Sequence, residues 1–164
     1  MALVPPPLPL PTCIPLPRIS QEEIWLNSLL AKSYHILLQY DVTTPPSTAI
    51  CIDPWRINSA WMCEPATYPP TSSLTIRLGS RNGRPIVIHS SFVTAVTVWD
   101  VIAGVHQALR DRVHKIYGCP KCCSPLGREV EMEIKMIQLA GNNRIWAGLA
   151  ESDSEWDVWI LDLI

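Results

Sequence analysis

One segment, TVWDVIAGVHQALRDRVHKIYG at residues 97–118, carries the signals of a helix at both ends and along its length. Thr97 can accept the amide of the first turn while Asp100 reaches back, and Gly118 supplies a natural stop. Between them Val98, Val101, Ile102, Val105, Leu109 and Val113 recur at helical spacing. A helix of this length spans roughly 30 Å, and its apolar stripe must be covered by another layer.

The rest of the sequence supplies that layer mainly as strands. HILLQYDV alternates, with Ile36, Leu38, Tyr40 and Val42 on one face. SLTIRL and PIVIHS flank the turn GSRNGR and predict a hairpin. EVEMEIKM, RIWAGLA and WDVWILDLI, separated by the turns AGNNR and ESDSE, predict a C-terminal three-stranded meander. In EVEMEIKM the period of two, Val130, Met132, Ile134 and Met136 against Glu129, Glu131, Glu133 and Lys135, outweighs a good helix propensity. Ahead of these, SQEEIWLNSLLAKS predicts a short helix capped by Ser20 and Glu23. Residues 43–72 are rich in proline and predict a long structured loop anchored by Trp55 and Trp61. The expected class is α+β: a mostly antiparallel sheet packed by one main helix and a short N-terminal helix.

Seven of the first 17 residues are proline, so residues 1–19 predict an extended arm and residues 20–164 a single α+β domain. A chain of 164 residues suits one domain. The arm contains PPLP at Pro6, Pro7, Leu8 and Pro9, a string that proline-reading domains can bind. It lacks the basic leading region and unbroken apolar run of a signal peptide. No stretch approaches the roughly 18–20 apolar residues of a membrane span. A cytoplasmic setting follows, in which six cysteines are thiols or metal ligands before they are disulfides.

The net charge of −2 argues against nucleic acid as a partner, although the charge is unevenly spread. Residues 72–128 hold eight Lys/Arg against Asp100 and Asp111, and residues 129–164 hold eight acids against Lys135 and Arg144. Such opposed fields can meet within the fold or between subunits, so a homo-oligomer stays open.

Several ordered blocks, YDVTTPPST, EPATYPPTSSLTI, RPIVIHS, VTVWDVIAGVHQALR, IWAGLAES and WDVWILDL, resemble a domain family of unknown function from mushroom-forming fungi. The resemblance covers about residues 26–163. It implies a basidiomycete origin and a single α+β domain, and it brings no activity, cofactor or catalytic residue. It also implies a longer, Arg-rich segment after the main helix, where this chain has GCPKCCSPLG.

That cysteine cluster is the most suggestive chemistry. Cys119 and Cys122 have the spacing of a zinc knuckle, with Cys123 and His114 as further ligands, but no second C-x-x-C completes a tetrahedral set. A redox pair would follow a strand and precede a helix, whereas this one follows a helix. The plain alternative is a tight loop of reduced thiols, so no cofactor is expected and zinc is left as an option. For acid–base work the candidates are His89 with Ser91, and His106 in line with Trp99, Ile102 and Arg110; no nucleophile elbow accompanies them.

Seven tryptophans against one phenylalanine are a stronger hint. Trp99, Trp146, Trp156 and Trp159 fall on elements expected to pack together, and an indole suits a pocket rim or an interface as well as a core. On a strand Trp156 and Trp159 point to opposite faces. Three functions survive. The first is a non-catalytic module binding protein or a small molecule through tryptophan. The second is a cofactor-independent cyclase- or isomerase-like enzyme acting on an apolar small molecule in fungal metabolism. The third is a zinc protein using the cysteines.

Overall fold

The computed structural model describes residues 23–56, 58–79, 84–91, 95–118 and 124–164. The proline arm, Ser20 of the expected capping box, and Cys119, Cys122 and Cys123 lie outside these residues.

The 97–118 segment forms helix α1, Val98–Tyr117, and its ends are as expected. Thr97 Oγ1 accepts the Asp100 amide, the Asp100 carboxylate accepts the Thr97 amide at 2.9 Å, and Gly118 ends the helix with φ of 76°. Its apolar stripe, Val98, Val101, Ile102, Val105, Leu109 and Val113, is buried.

The stripe packs on a four-stranded sheet of β5 (Ser73–Leu78), β6 (Pro85–His89), β7 (Trp146–Glu151) and β8 (Val158–Leu163) in the order β6-β5-β8-β7. The expected hairpin forms β5 and β6, and β7 and β8 form a second antiparallel pair. The two pairs meet along a parallel β5–β8 seam. Parallel neighbours need a long crossover, and the helical segment between β6 and β7 supplies it. Alternate residues Leu74, Ile76, Ile88, Leu149, Trp159 and Leu161 form the buried face. The helix sits close over β6: a Cβ at Gly104 would lie 2.9 Å from the Ile88 side chain.

EVEMEIKM departs from its expected strand. It lies in a second helix, α2, Pro125–Ala140, so the meander is reduced to the β7–β8 hairpin. Ser124 caps α2, Pro125 opens it, and Gly141 follows it at φ of 64°. Met132 and Met136, one helical turn apart, are buried, while Val130 and Ile134 are each 50% exposed. The alternation was incidental, and the inward stripe is one helical row completed by Leu139. Glu131 and Lys135, both partly buried, pair beside this row at 2.6 Å.

The expected N-terminal helix is also corrected over its described residues. Trp25–Leu26 form β1, paired with β4 (Thr67–Tyr68), and a turn at residues 28–30 follows. Asn27 directs this change: its side-chain oxygen accepts the Leu29 amide and its carbonyl accepts those of Leu30 and Ala31. Such local bonds compete with a helix. Leu29 and Leu30, adjacent in sequence, are then both buried.

HILLQYDV keeps its alternation, with Leu38, Tyr40 and Val42 buried, although only Leu38–Gln39 (β2) pairs as a strand, with Ile50–Cys51 (β3). In the 43–72 loop Trp61 is an anchor at 6% exposure, but Trp55 is 91% exposed and anchors nothing. The opposed charge fields meet within the chain. Arg110 forks onto Glu129 at 2.7 and 2.9 Å, and Arg77 onto Glu155 at 2.5 and 2.7 Å.

Candidate functional site

The turn ESDSEWD between β7 and β8 sets the geometry of the most distinctive surface. The Ser152 amide closes it onto the Val158 carbonyl at 2.9 Å, and Asp157 takes the left-handed conformation at φ of 57°. Aspartate tolerates that region better than most residues. The chain leaves the turn with Trp156 outside, 59% exposed, and Trp159 inside, 7% exposed. The segment leading into β1 lies against the same turn. Together Glu23, Ile24, Glu151, Trp156, Asp157 and Trp159 line most of a hollow of about 130 Å³.

Glu155 also borders the hollow, but its carboxylate is committed to Arg77. The hydrogen bond from Arg77 holds it below the usual carboxylate range, against a small opposing effect of burial. Glu23, Glu151 and Asp157 remain as carboxylates around an indole. One residue beyond Ile24, Trp25 is 61% exposed and stands opposite Tyr68, itself 47% exposed. An indole face flanked by carboxylates attracts cations through its quadrupole and through charge.

The remaining tryptophans divide. Trp146 is a core residue at 1% exposure, with an indole N–H that finds no partner among the described residues, and Trp99 is half-buried on α1.

His89 and Ser91 are exposed and share a groove of about 530 Å³ between β6 and α1. Ser91 bonds Asp100, the helix cap. Burial raises the Asp100 pKa, but the hydrogen bonds from Ser91 and Thr97 outweigh it and hold the carboxyl below its ordinary value. A nucleophilic serine needs a base aimed at its hydroxyl, and here a capping carboxylate holds that hydroxyl. His106 is elsewhere, buried in the core with Nδ1 3.1 Å from the Val42 carbonyl. Burial, helped by the Arg110 charge, lowers its pKa, so the ring is held neutral.

His114 is exposed near the end of α1, beside a shallow cleft between the helices that also meets Arg110, Leu126 and Glu129. Among the described residues no group of three or more His, Cys, Asp or Glu is placed to hold a metal ion. Cys51 and Cys63 are free thiols.

One feature had no signal in the sequence. A cleft of about 540 Å³ opens where the ends of β5 and β8 meet the two helices, lined by Leu78, Leu109, Leu139, Ile160 and Leu163 with Arg112 at its edge. It depends on α2 being a helix. Among the described residues, no helix is long and apolar enough to cross a membrane.

Against known families, the sequence matches a family of unknown function (DUF6699) over residues 38–156. No curated protein and no solved structure matches it.

Proposed function

We propose that this chain, which belongs to the family of unknown function DUF6699, is a non-catalytic interaction module that receives a cationic group, from a protein or a small molecule, at the Trp156 turn. The observation that carries this reading is an indole 59% exposed over a hollow bordered by Glu23, Glu151 and Asp157. Exposing a tryptophan forfeits much of the stabilisation its burial would contribute, and an indole at a surface favours an interface role. The neighbouring carboxylates repel anions and select for cations. The scattered histidines fit a module without acid–base chemistry.

Each exposed cation–π contact contributes about 0.5–1 kcal/mol. A contact of that size corresponds by itself to a dissociation constant of roughly 0.2–0.4 M, so a lone ammonium binds only at high concentration and a natural ligand adds contacts on Trp25 and Tyr68. The test uses indole ¹⁵N–¹H spectra of the full chain titrated with tetramethylammonium and with tert-butanol, a neutral compound of similar shape. Signals of Trp156 and Trp159 are expected to move with the cation alone, and the Trp156→Ala protein is expected to show no response. Equal shifts with the neutral compound, or none at about 0.5 M cation, would overturn the reading.

The enzyme reading has one observation in its favour, the apolar cleft between the helices and the ends of β5 and β8. Its polar lining is Arg112, Asn143 and Asp162, of which Asp162 is paired with Lys32. Neither His89 nor His106 lines it.

A further inference from the structure

The two edges of the main sheet are treated differently. Along β7 the chain covers its own edge: Lys32 donates to the Leu149 carbonyl at 2.8 Å, Leu149 donates to Leu30 at 2.7 Å, and Trp146 donates to Tyr40 at 2.8 Å. At the other end β6 pairs only with β5 among the described residues.

The direction of its free groups follows from the register. Ser90 donates to Ser72 at 3.2 Å, and this pair lies next to Ser73↔His89 in the antiparallel ladder. Pairs in such a ladder alternate between bonded and non-bonded, so Ile88 and Ile86 also bond to β5. Val87 and His89 then turn their N–H and C=O groups outward. Pro85, which has no N–H to donate, also faces outward, where proline is tolerated.

Beside this edge runs the groove between β6 and α1, about 530 Å³ in volume. Its helix side carries Ala103, Gly104 and Ala108, small residues that leave room for another chain's side chains. Val87 beside it is an apolar residue 54% exposed. The exposed carboxylate of Asp111 borders it, that of Asp100 is buried in the helix cap, and among the described residues no lysine or arginine lines it.

We infer that β6 and α1 form a docking site for an extended peptide of a partner protein, added as a further strand and carrying a lysine or arginine. The outward amides match the spacing of an extended backbone, which a helix or a small apolar molecule does not offer. Val87 and the small residues of α1 accept its alternate side chains, and the exposed carboxylate of Asp111 selects the basic one. The site is separate from Trp156 and does not rest on the cation-binding reading.

Random heptapeptides displayed on phage, selected on the full chain, test this. Enriched peptides are expected to be rich in β-branched residues and to carry a basic residue. Val87→Pro removes one outward N–H and leaves the bonds to β5, while Ala108→Lys fills the groove and reverses its charge from a half-exposed helix position. Each is expected to weaken the selected peptides by about tenfold or more, the equivalent of about 1.4 kcal/mol. Trp156→Ala is expected to leave them unchanged, which separates this outcome from that of the tryptophan site. Should Val87→Pro fail to fold, by circular dichroism, Ala108→Lys carries the test. No enrichment, peptides without a basic residue, or equal binding to Ala108→Lys would overturn the inference. A wild-type dimer that Val87→Pro dissolves would also overturn it, because a second copy would then occupy the edge.

Discussion

Replacing Gly148 with alanine probes the joint on which the N-terminal segment hangs. Gly148 lies at a register shift in β7 with φ of 123°, a conformation that side chains rarely adopt. A Cβ there would lie 2.5 Å from the Lys32 nitrogen and against the Lys32 Cα, and both obstacles are backbone. Relief requires residues 30–32 to leave β7. Backbone strain costs about 1–3 kcal/mol. The two lost bonds between this segment and Leu149 add about 1 kcal/mol each. Lifting Leu30 from the core adds up to about 1.5–3 kcal/mol. Together these come to roughly 4.5–8 kcal/mol, comparable to the whole stability of many domains.

Gly79 is the control. Its φ of 74° is also left-handed, but a Cβ there meets nothing within 4 Å. Gly79→Ala should therefore cost only the conformational penalty, roughly 1–2 kcal/mol. Urea unfolding followed by tryptophan fluorescence, with the slope compared between variants, measures both. The Gly148→Ala protein should be the less stable by about 3 kcal/mol or more, from the terms worked above. Equal costs would show that residues 30–32 do not press on β7, and with that the covered edge would lose its support.

His106 makes stability depend on pH with a definite sign. Its folded pKa lies below the ordinary 6.5, so the unfolded chain binds the proton more readily and stability falls as pH drops from 6.5 toward the folded value. Substituting His106 with glutamine should flatten that part of a stability-versus-pH curve, and an unchanged slope would be a refutation. Trp146→Phe removes an indole N–H that has no partner among the described residues. Because an unsatisfied buried donor costs about 1–3 kcal/mol, part of the lost packing is offset, and unfolding should show a smaller loss than for Trp159→Phe. On α2, Val130→Lys together with Ile134→Glu should change stability by less than about 0.5 kcal/mol, the usual range for surface sites. Met136→Lys, which buries a charge, should unfold the domain; a large loss from the double variant would instead favour a strand.

The two helices show what the sequence made legible. In α1 the cap, stripe and stop all indicate one period, and each was read correctly. In α2 the signals conflict. Ser124, Pro125 and Gly141 mark a helix, whereas the alternation from Val130 to Met136 marks a strand. Tertiary packing needs only Met132, Met136 and Leu139 inward, so two of the four alternating apolar residues are left at the surface. A period counted over eight residues cannot separate that arrangement from a strand, while the caps on either side can. The parallel β5–β8 seam was hidden for the same reason, since a strand at 129–136 would have filled the crossover.

The candidate surfaces were legible only as residue types. That a tryptophan of the last strand would stand outside the core follows from side-chain alternation, but which carboxylates surround it depends on where residues 23–24 return, 130 positions away in the case of the Lys32–Asp162 pair that helps tie this segment down. The terminal place of β6 among the described strands has a similar origin. PIVIHS is an ordinary strand in sequence, and only the order β6-β5-β8-β7 makes it terminal. Its position is then a consequence of connectivity: α1 and α2 follow β6 and carry the chain to β7 and β8 on the far side of β5. The chain covers the β7 edge with residues it had already laid down, at 30–32 and 40–42. An outward row of amides facing a small-residue helix follows from that order, and a complementary strand of another chain is the partner such a row can satisfy.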